Sequence, residues 1–105
     1  MIEALKNMLG FGNTPDYKDL LKSGGIIIDV RSPQEFKTGN ISGSKNYPLN
    51  ELDKHLTKLK DKNQPIIACC ASGMRSGSAK SILKSKGYTQ VFNGGGWRNL
   101  QGKIN

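Results

Sequence analysis

The chain carries little that could bind a metal or staple a small fold: one histidine and two cysteines in 105 residues. The cysteines, Cys69 and Cys70, are neighbours. They form no Cys-x-x-Cys hairpin, and a bridge between them would strain its own ring and close no useful loop. His55 stands alone in a charged, helix-like segment. Zinc and iron–sulfur sites are therefore not expected, no cofactor is called for, and both thiols read as free in a reducing cytoplasm. Long apolar runs are missing as well: none approaches the ~20 residues of a membrane span. Residues 1–10 lack the basic and apolar regions of a secretory signal, which predicts a protein that stays where it is made.

Acidic residues are also scarce, 8 against 16 basic ones, for a net charge of +8. That excess opens the question of nucleic acid. The lysines are scattered over several helix-like segments, without interleaved aromatics or a nucleic-acid motif, so specific nucleic-acid binding is not expected. A diffuse positive field that steers small anions toward a cleft fits better. The length suits one domain. Residues 1–13, with Ile2, Leu5, Met8 and Leu9 on one side, read as a short amphipathic helical arm, and residues 14–105 as the domain.

Apolar periodicity orders that domain. Thr14, with Pro15 and Asp16, predicts a capped helix that Gly24 and Gly25 stop. Residues 26–30, Ile-Ile-Ile-Asp-Val, form a β-branched run of the kind buried on both faces of a parallel sheet. Ser32, Pro33 and Glu35 spell a capping box for the next helix. A short strand is expected at 45–47, a helix capped by Asn50 with Leu52, Leu56 and Leu59 inward, a strand at 65–68, a helix at 76–87 and a strand at 89–92. Residues 93–97, Asn-Gly-Gly-Gly-Trp, read as a turn into a terminal helix. Alternating strands and helices predict an α/β three-layer sandwich, a mainly parallel central sheet of about five strands flanked by helices.

Between the strand at 65–68 and the following helix lies Cys69-Cys70-Ala71-Ser72-Gly73-Met74-Arg75-Ser76. A thiol at a strand-to-helix turn meets the unpaired N–H groups and positive dipole end of the helix, and a nearby arginine adds a full charge. Both effects raise the thiolate fraction. In open sheets of this kind ligands bind beyond the carboxyl ends of the strands, where this loop falls. Asp29 and Arg31 end a neighbouring strand, which makes Arg31 a further candidate for the cleft, although Asp29 reads better as structure.

Four pieces, in this order, resemble the single-domain rhodaneses, a family of small α/β sulfurtransferases. They are Asp29-Val30-Arg31-Ser32-Pro33-Gln34-Glu35-Phe36, Gly39-Asn40-Ile41-Ser42-Gly43-Ser44-Lys45-Asn46, Cys70-Ala71-Ser72-Gly73-Met74-Arg75-Ser76 and Asn93-Gly94-Gly95-Gly96-Trp97. One departure is visible: Gly39-Asn40-Ile41 stands where the family often has Gly-His-Ile, outside the thiol loop. The resemblance implies a cysteine persulfide that carries sulfur from a small anionic donor such as thiosulfate to cyanide or a thiol.

Two spacings then compete. From Cys69 the pattern is Cys-x5-Arg, as in cysteine phosphatases; from Cys70 it is Cys-x4-Arg, the tighter rhodanese loop that suits one sulfur atom. Cys69 continues an apolar strand and has no preceding histidine, so Cys70 is the expected nucleophile. Backbone N–H groups from Ala71 through Ser76 are expected to line a nest for the sulfur, with Gly73 allowing the tight turn. Arg75 is assigned to donor binding, or to pinning the loop. Ser72 and Ser76 read as hydrogen-bond donors or as turn and cap residues, and Met74 as an apolar rim. Two further functions remain open: a persulfide carrier that delivers sulfur to a protein partner, and a phosphatase using Cys69.

Overall fold

The computed structural model describes residues 15–105. The expected arm at 1–13 and the Thr14 cap lie outside those residues. The first helix, α1 (Tyr17–Lys22), is capped by Asp16, whose carboxylate accepts from the Asp19 N–H at 3.2 Å. That makes Asp16 the cap itself, where the sequence places it inside the first turn of a helix capped by Thr14, so the helix starts two residues later than expected.

The chain then alternates through β1 (Ile26–Asp29), α2 (Pro33–Thr38), β2 (Lys45–Asn46), α3 (Leu52–His55), β3 (Ile66–Cys70), α4 (Met74–Ser85), β4 (Val91–Gly96) and α5 (Trp97–Ile104). Hydrogen bonds join the strands in the order β2-β1-β3-β4, all parallel. The α/β layering is as expected, but the sheet has four strands among the described residues rather than about five. Between β2 and β3 the leucines at 52, 56 and 59 have helical spacing and supply no further strand.

That leucine segment departs from one continuous helix. It breaks into a 3-10 turn at Leu49–Glu51, the single turn α3 and a second 3-10 turn at Leu56–Lys58. Asn50 lies inside the first turn instead of capping a helix. Leu52 and Leu59 are nonetheless buried, so side-chain burial holds where regular backbone geometry does not. The Ser32–Glu35 capping box forms as expected: the Glu35 N–H donates to Ser32 Oγ at 3.2 Å, and the Ser32 N–H to Glu35 Oε1 at 3.0 Å.

The period of a strand sorts side chains between the two faces. Ile28, Val30, Ile66, Ala68 and Cys70 join Leu52, Ala79 and Leu83 in one buried cluster. Ile27, Ile67 and Cys69 join Tyr17 and Leu100 in the other. The adjacent cysteines therefore belong to opposite sides of the sheet, and only Cys70 is on the side covered by α4.

The last strand is longer than expected. Residues 93–96 continue β4 instead of turning at once, with a register irregularity opposite Ala68–Cys70. Gly94 explains the close approach there. A Cβ on Gly94 would stand 2.8 Å from Ile67 Cγ2 and 2.9 Å from Leu100 Cδ2. Gly94→Ala should therefore cost about 1–3 kcal/mol, read as a lower urea midpoint at unchanged slope. An unaltered midpoint would contradict the tight contact between β3, β4 and α5.

Candidate active site

The thiol loop joins the end of β3 to α4. Helix α4 starts at Met74, two residues before the expected Ser76, because Gly73 takes a left-handed φ of 100° and so turns the chain directly into the helix. This early start brings the first N–H groups of α4 back over the end of β3. The Gly73 N–H donates to Cys70 Sγ at 2.9 Å, and the Ser76 N–H lies 3.4 Å from the same atom. Ser76 Oγ is also 3.4 Å away.

These donors decide the state of the thiol. Burial pushes the Cys70 thiol up; the Ser76 hydroxyl and the N–H groups of Ser76, Ser72 and Gly73 outweigh that burial, and the net shift is downward. Cys69 shows the opposite balance. Its own burial, reinforced by the Asp29 carboxylate, pushes it up to about 12. Side by side in sequence, one thiol is eased toward its thiolate and the other is held protonated.

Arg75 leaves α4 toward α2. Its Nη1 and Nη2 donate to Glu35 Oε1 and Oε2 at 2.7 and 2.9 Å, a two-pronged pair at the rim. Glu35 thus has two tasks, the helix cap read from sequence and an anchor for the loop arginine 40 residues away. Nothing local in the sequence signals the second. Guanidinium carries five N–H donors, so three of them are not committed to this carboxylate.

That pair sets a pH dependence. The Glu35 carboxyl is held down from its ordinary 4.5 to about 2, chiefly by the Arg75 hydrogen bonds and next by the Ser32 N–H. A carboxylate lowered on folding adds stability above its unfolded value and loses it as pH falls through the folded one, here from about 4.5 toward about 2. The side chains are 38% and 37% exposed, so salt screens the effect and keeps it small. Glu35→Gln is expected to lower stability slightly at neutral pH and to match wild type once both are acidified below about 2. Urea titrations across that window check this; a constant difference at every pH would contradict it.

Arg31 is elsewhere engaged. It is 3% exposed, and its Nε and Nη2 grip Asp29 while Nη1 and Nη2 donate to the carbonyls of Glu35 and Gly39. Its guanidinium also stacks 4.8 Å from the Trp97 ring. These contacts tie the end of β1 to α2 and α5, a structural task in place of the cleft-facing one considered for it. Asp29 has the structural role expected of it.

Two clefts flank the loop. One, of about 510 Å³, is bordered by Ser72, Gly73 and Met74 with residues 93–96 of β4. The other, of about 370 Å³, is bordered by Arg75, Val30, Pro48 and Leu49. Cys70 itself is fully buried, beneath the exposed Ala71 and Ser72. Met74 is 82% exposed, the sole exposed large hydrophobic side chain among the described residues.

The sequence marks Asn93 only as a turn residue. In the structure its amide reaches across from β4 to the thiol loop, accepting from Ser76 Oγ at 2.6 Å and donating to the Gly73 carbonyl at 3.1 Å. A hydrogen-bonding side chain directly before three glycines was the one hint available in the sequence.

Comparison with known proteins agrees with this geometry. The family model of the Rhodanese-like domain matches residues 13–103. The chain is 39% identical over 74 residues to thiosulfate sulfurtransferase PspE of Escherichia coli, covering 70% of this chain and 71% of the relative. It is 33% identical over 75 residues to thiosulfate sulfurtransferase GlpE of Ectopseudomonas mendocina, covering 71% and 68%. Among solved structures, a rhodanese with anions from E. coli superposes with a TM-score of 0.68 at 38% identity, over 71% of this chain and 89% of that one. A match across nearly the whole chain, with relatives alike in both sequence and fold, establishes that this protein belongs to the rhodanese-like domain family of sulfurtransferases.

Proposed function

We propose that the protein moves sulfane sulfur from thiosulfate or a similar donor to cyanide or a thiol through a persulfide on Cys70. The observation that carries the reading is the set of donors converging on Cys70 Sγ from the start of α4, against the protonated, oppositely facing Cys69. Family membership supports the reaction class.

In the first half-reaction the Cys70 thiolate attacks the outer sulfur of thiosulfate. The bond between the two thiosulfate sulfurs breaks, and sulfite leaves with the electron pair. The terminal sulfur of the resulting persulfide is anionic. The N–H groups of the loop, held by Gly73 and the helix, stabilise it without reorganising. In the second, cyanide attacks that terminal sulfur, forms thiocyanate and returns the thiolate. Arg75 receives the donor's sulfonate with the N–H groups not engaged by Glu35, and the positive field of the chain draws the anion in. Ala71, Ser72 and Met74 form the outer face of the loop, which must yield for a donor to reach the buried sulfur.

Delivery to a protein acceptor is the second reading, and the exposure of Met74 on the rim favours it, since an apolar side chain in that position suits contact with a partner. Phosphatase chemistry through Cys69 is not supported: that thiol belongs to the other side of the sheet beside Asp29. We take the compartment to be the cytoplasm, where free thiols are kept reduced.

The test is intact mass after incubation with thiosulfate, followed by cyanide. A gain of one sulfur, its loss on adding cyanide and the appearance of thiocyanate are expected, with ping-pong kinetics. Wild-type protein that gains no sulfur would overturn the reading.

A further inference from the structure

We propose that Leu49, with Val30 and Pro48, determines donor specificity: the cleft they line holds the carbon group of an organic thiosulfonate and makes such donors better substrates than thiosulfate. The inference rests on the assignment of Cys70 as nucleophile. Of the two clefts beside the thiol loop, the larger is closed by Tyr17 of α1 and by Asn99 and Lys103 of α5. Those helices cover the other side of the sheet, where Tyr17 and Leu100 pack with Cys69. The smaller cleft is on the side of Cys70. Val30 shares the buried cluster of Cys70, Leu49 packs against that cluster, and the Leu49 N–H donates to the Val30 carbonyl at 3.1 Å.

The lining of this cleft is divided. Val30, Pro48 and the half-buried Leu49 make an apolar wall, Arg75 a cationic edge, and Ser32 and Asn50 complete it. Glu35 takes Nη1 and Nη2 of Arg75 end-on, which leaves Nε–H and the N–H beside it as a second fork, without another partner among the described residues. Such a fork suits two oxygens of one sulfonyl group. Thiosulfate fits the rest of the cleft less well. When two of its oxygens meet Arg75, the third faces a wall that cannot replace the water it loses: Pro48 has no N–H, and those of Val30 and Leu49 are committed to the carbonyls of Cys69 and Val30.

An organic thiosulfonate puts carbon where that third oxygen would be. It carries one charge less than thiosulfate, which matters beside an arginine whose charge Glu35 already offsets, and it gains by burying the carbon. The bond changes are those of the first half-reaction. The Cys70 thiolate bonds to the outer sulfur, the bond between the donor's two sulfurs breaks, and an alkanesulfinate leaves with the electron pair. Charge balances with no proton, oxidant or reductant.

Single-turnover sulfur gain, followed by intact mass with thiosulfate and with methane-, ethane-, propane- and butanethiosulfonate, tests the cleft. Each second-order rate constant is divided by that of a small free thiol with the same donor, which removes differences in intrinsic reactivity. The corrected constant should rise about threefold per methylene and exceed that of thiosulfate by about tenfold or more at butane. Leu49→Ser should cut the rise to below about 1.5-fold per methylene, and Leu49→Thr, closer in shape, should reduce it in the same direction if the serine variant does not fold. A flat or falling series in the wild type, or a rise that survives in the Leu49 variants, would overturn the proposal. The two readings fail differently: equal sulfur gain from every donor strikes the cleft and spares Cys70, while no gain from any donor strikes both.

Discussion

Cys70→Ser is expected to gain no sulfur from thiosulfate and to form no thiocyanate, whereas Cys69→Ala should retain wild-type turnover to within about twofold. The contrast is the largest effect expected in this protein. A serine hydroxyl at position 70 keeps the hydrogen bonds from the Gly73 and Ser76 N–H groups but does not ionise near neutral pH, so the nucleophile is lost while the loop persists. The fall should reach at least about a thousandfold, as for removal of other covalent nucleophiles. Cys69→Ala removes one buried sulfur from the opposite cluster, a cost of roughly 1 kcal/mol in stability with little reason to touch the loop. Intact mass and a thiocyanate assay on both variants decide the matter. Sulfur still carried by Cys70→Ser, or lost with Cys69→Ala, would reverse the assignment.

Asp29→Ala is expected to destabilise the fold by about 3–5 kcal/mol, measured by urea unfolding. Asp29 is 0% exposed and meets the Arg31 guanidinium at 2.7 Å, besides accepting from the Arg31 backbone N–H at 3.0 Å. Its removal leaves a buried cation with only the carbonyls of Glu35 and Gly39 and the Trp97 ring. An uncompensated charge in that setting takes away much of the 5–15 kcal/mol that a domain of this kind typically has. The half-exposed Glu35–Arg75 pair makes the contrast, since water screens it and its loss is small. A loss below about 1 kcal/mol in Asp29→Ala would mean that the Asp29–Arg31 pair does not hold the end of β1 in place.

Much of the fold was legible because it follows from short-range patterns. The run of isoleucines before Asp29 announced a strand covered on both sides, and Ser32, Pro33 and Glu35 announced a helix start, because caps and strand periods act within a few residues. The thiol loop was legible for the same reason. Its glycine at position 73, the helix beyond it and the arginine at position 75 are all within one turn of the cysteine. The leucine segment was less so: the spacing of Leu52, Leu56 and Leu59 predicted burial correctly, while the backbone between them departs into 3-10 turns.

The site was only half legible. Arg31 and Arg75 were both arginines at the carboxyl end of the sheet, and nothing in their local sequence distinguishes a buried pin from a rim residue. Asp29 is two residues from Arg31 and closes on it, whereas Glu35 is forty residues from Arg75 and reaches it only because α2 and α4 end up side by side. Asn93 was hidden for a similar reason, since its role depends on β4 lying beside β3 with a register irregularity at Cys70.

By itself the sequence determined the α/β order, the strand-to-helix turn that carries the thiol and the reading of Cys69 as a continuation of the apolar strand, since each is a matter of local period and turn chemistry; that the strand runs on through Cys70, so that the two thiols face opposite ways, came from the structure. The tertiary structure alone decided which carboxylate holds Arg75, that Arg31 is buried against Asp29, and that Asn93 meets Ser76 beside the sulfur. The Glu35–Arg75 and Ser76–Asn93 pairings join residues 40 and 17 positions apart, and the local Asp29–Arg31 pair is buried only once α2 and α5 close over it, so all three exist only when the parallel strands and their crossover helices have packed.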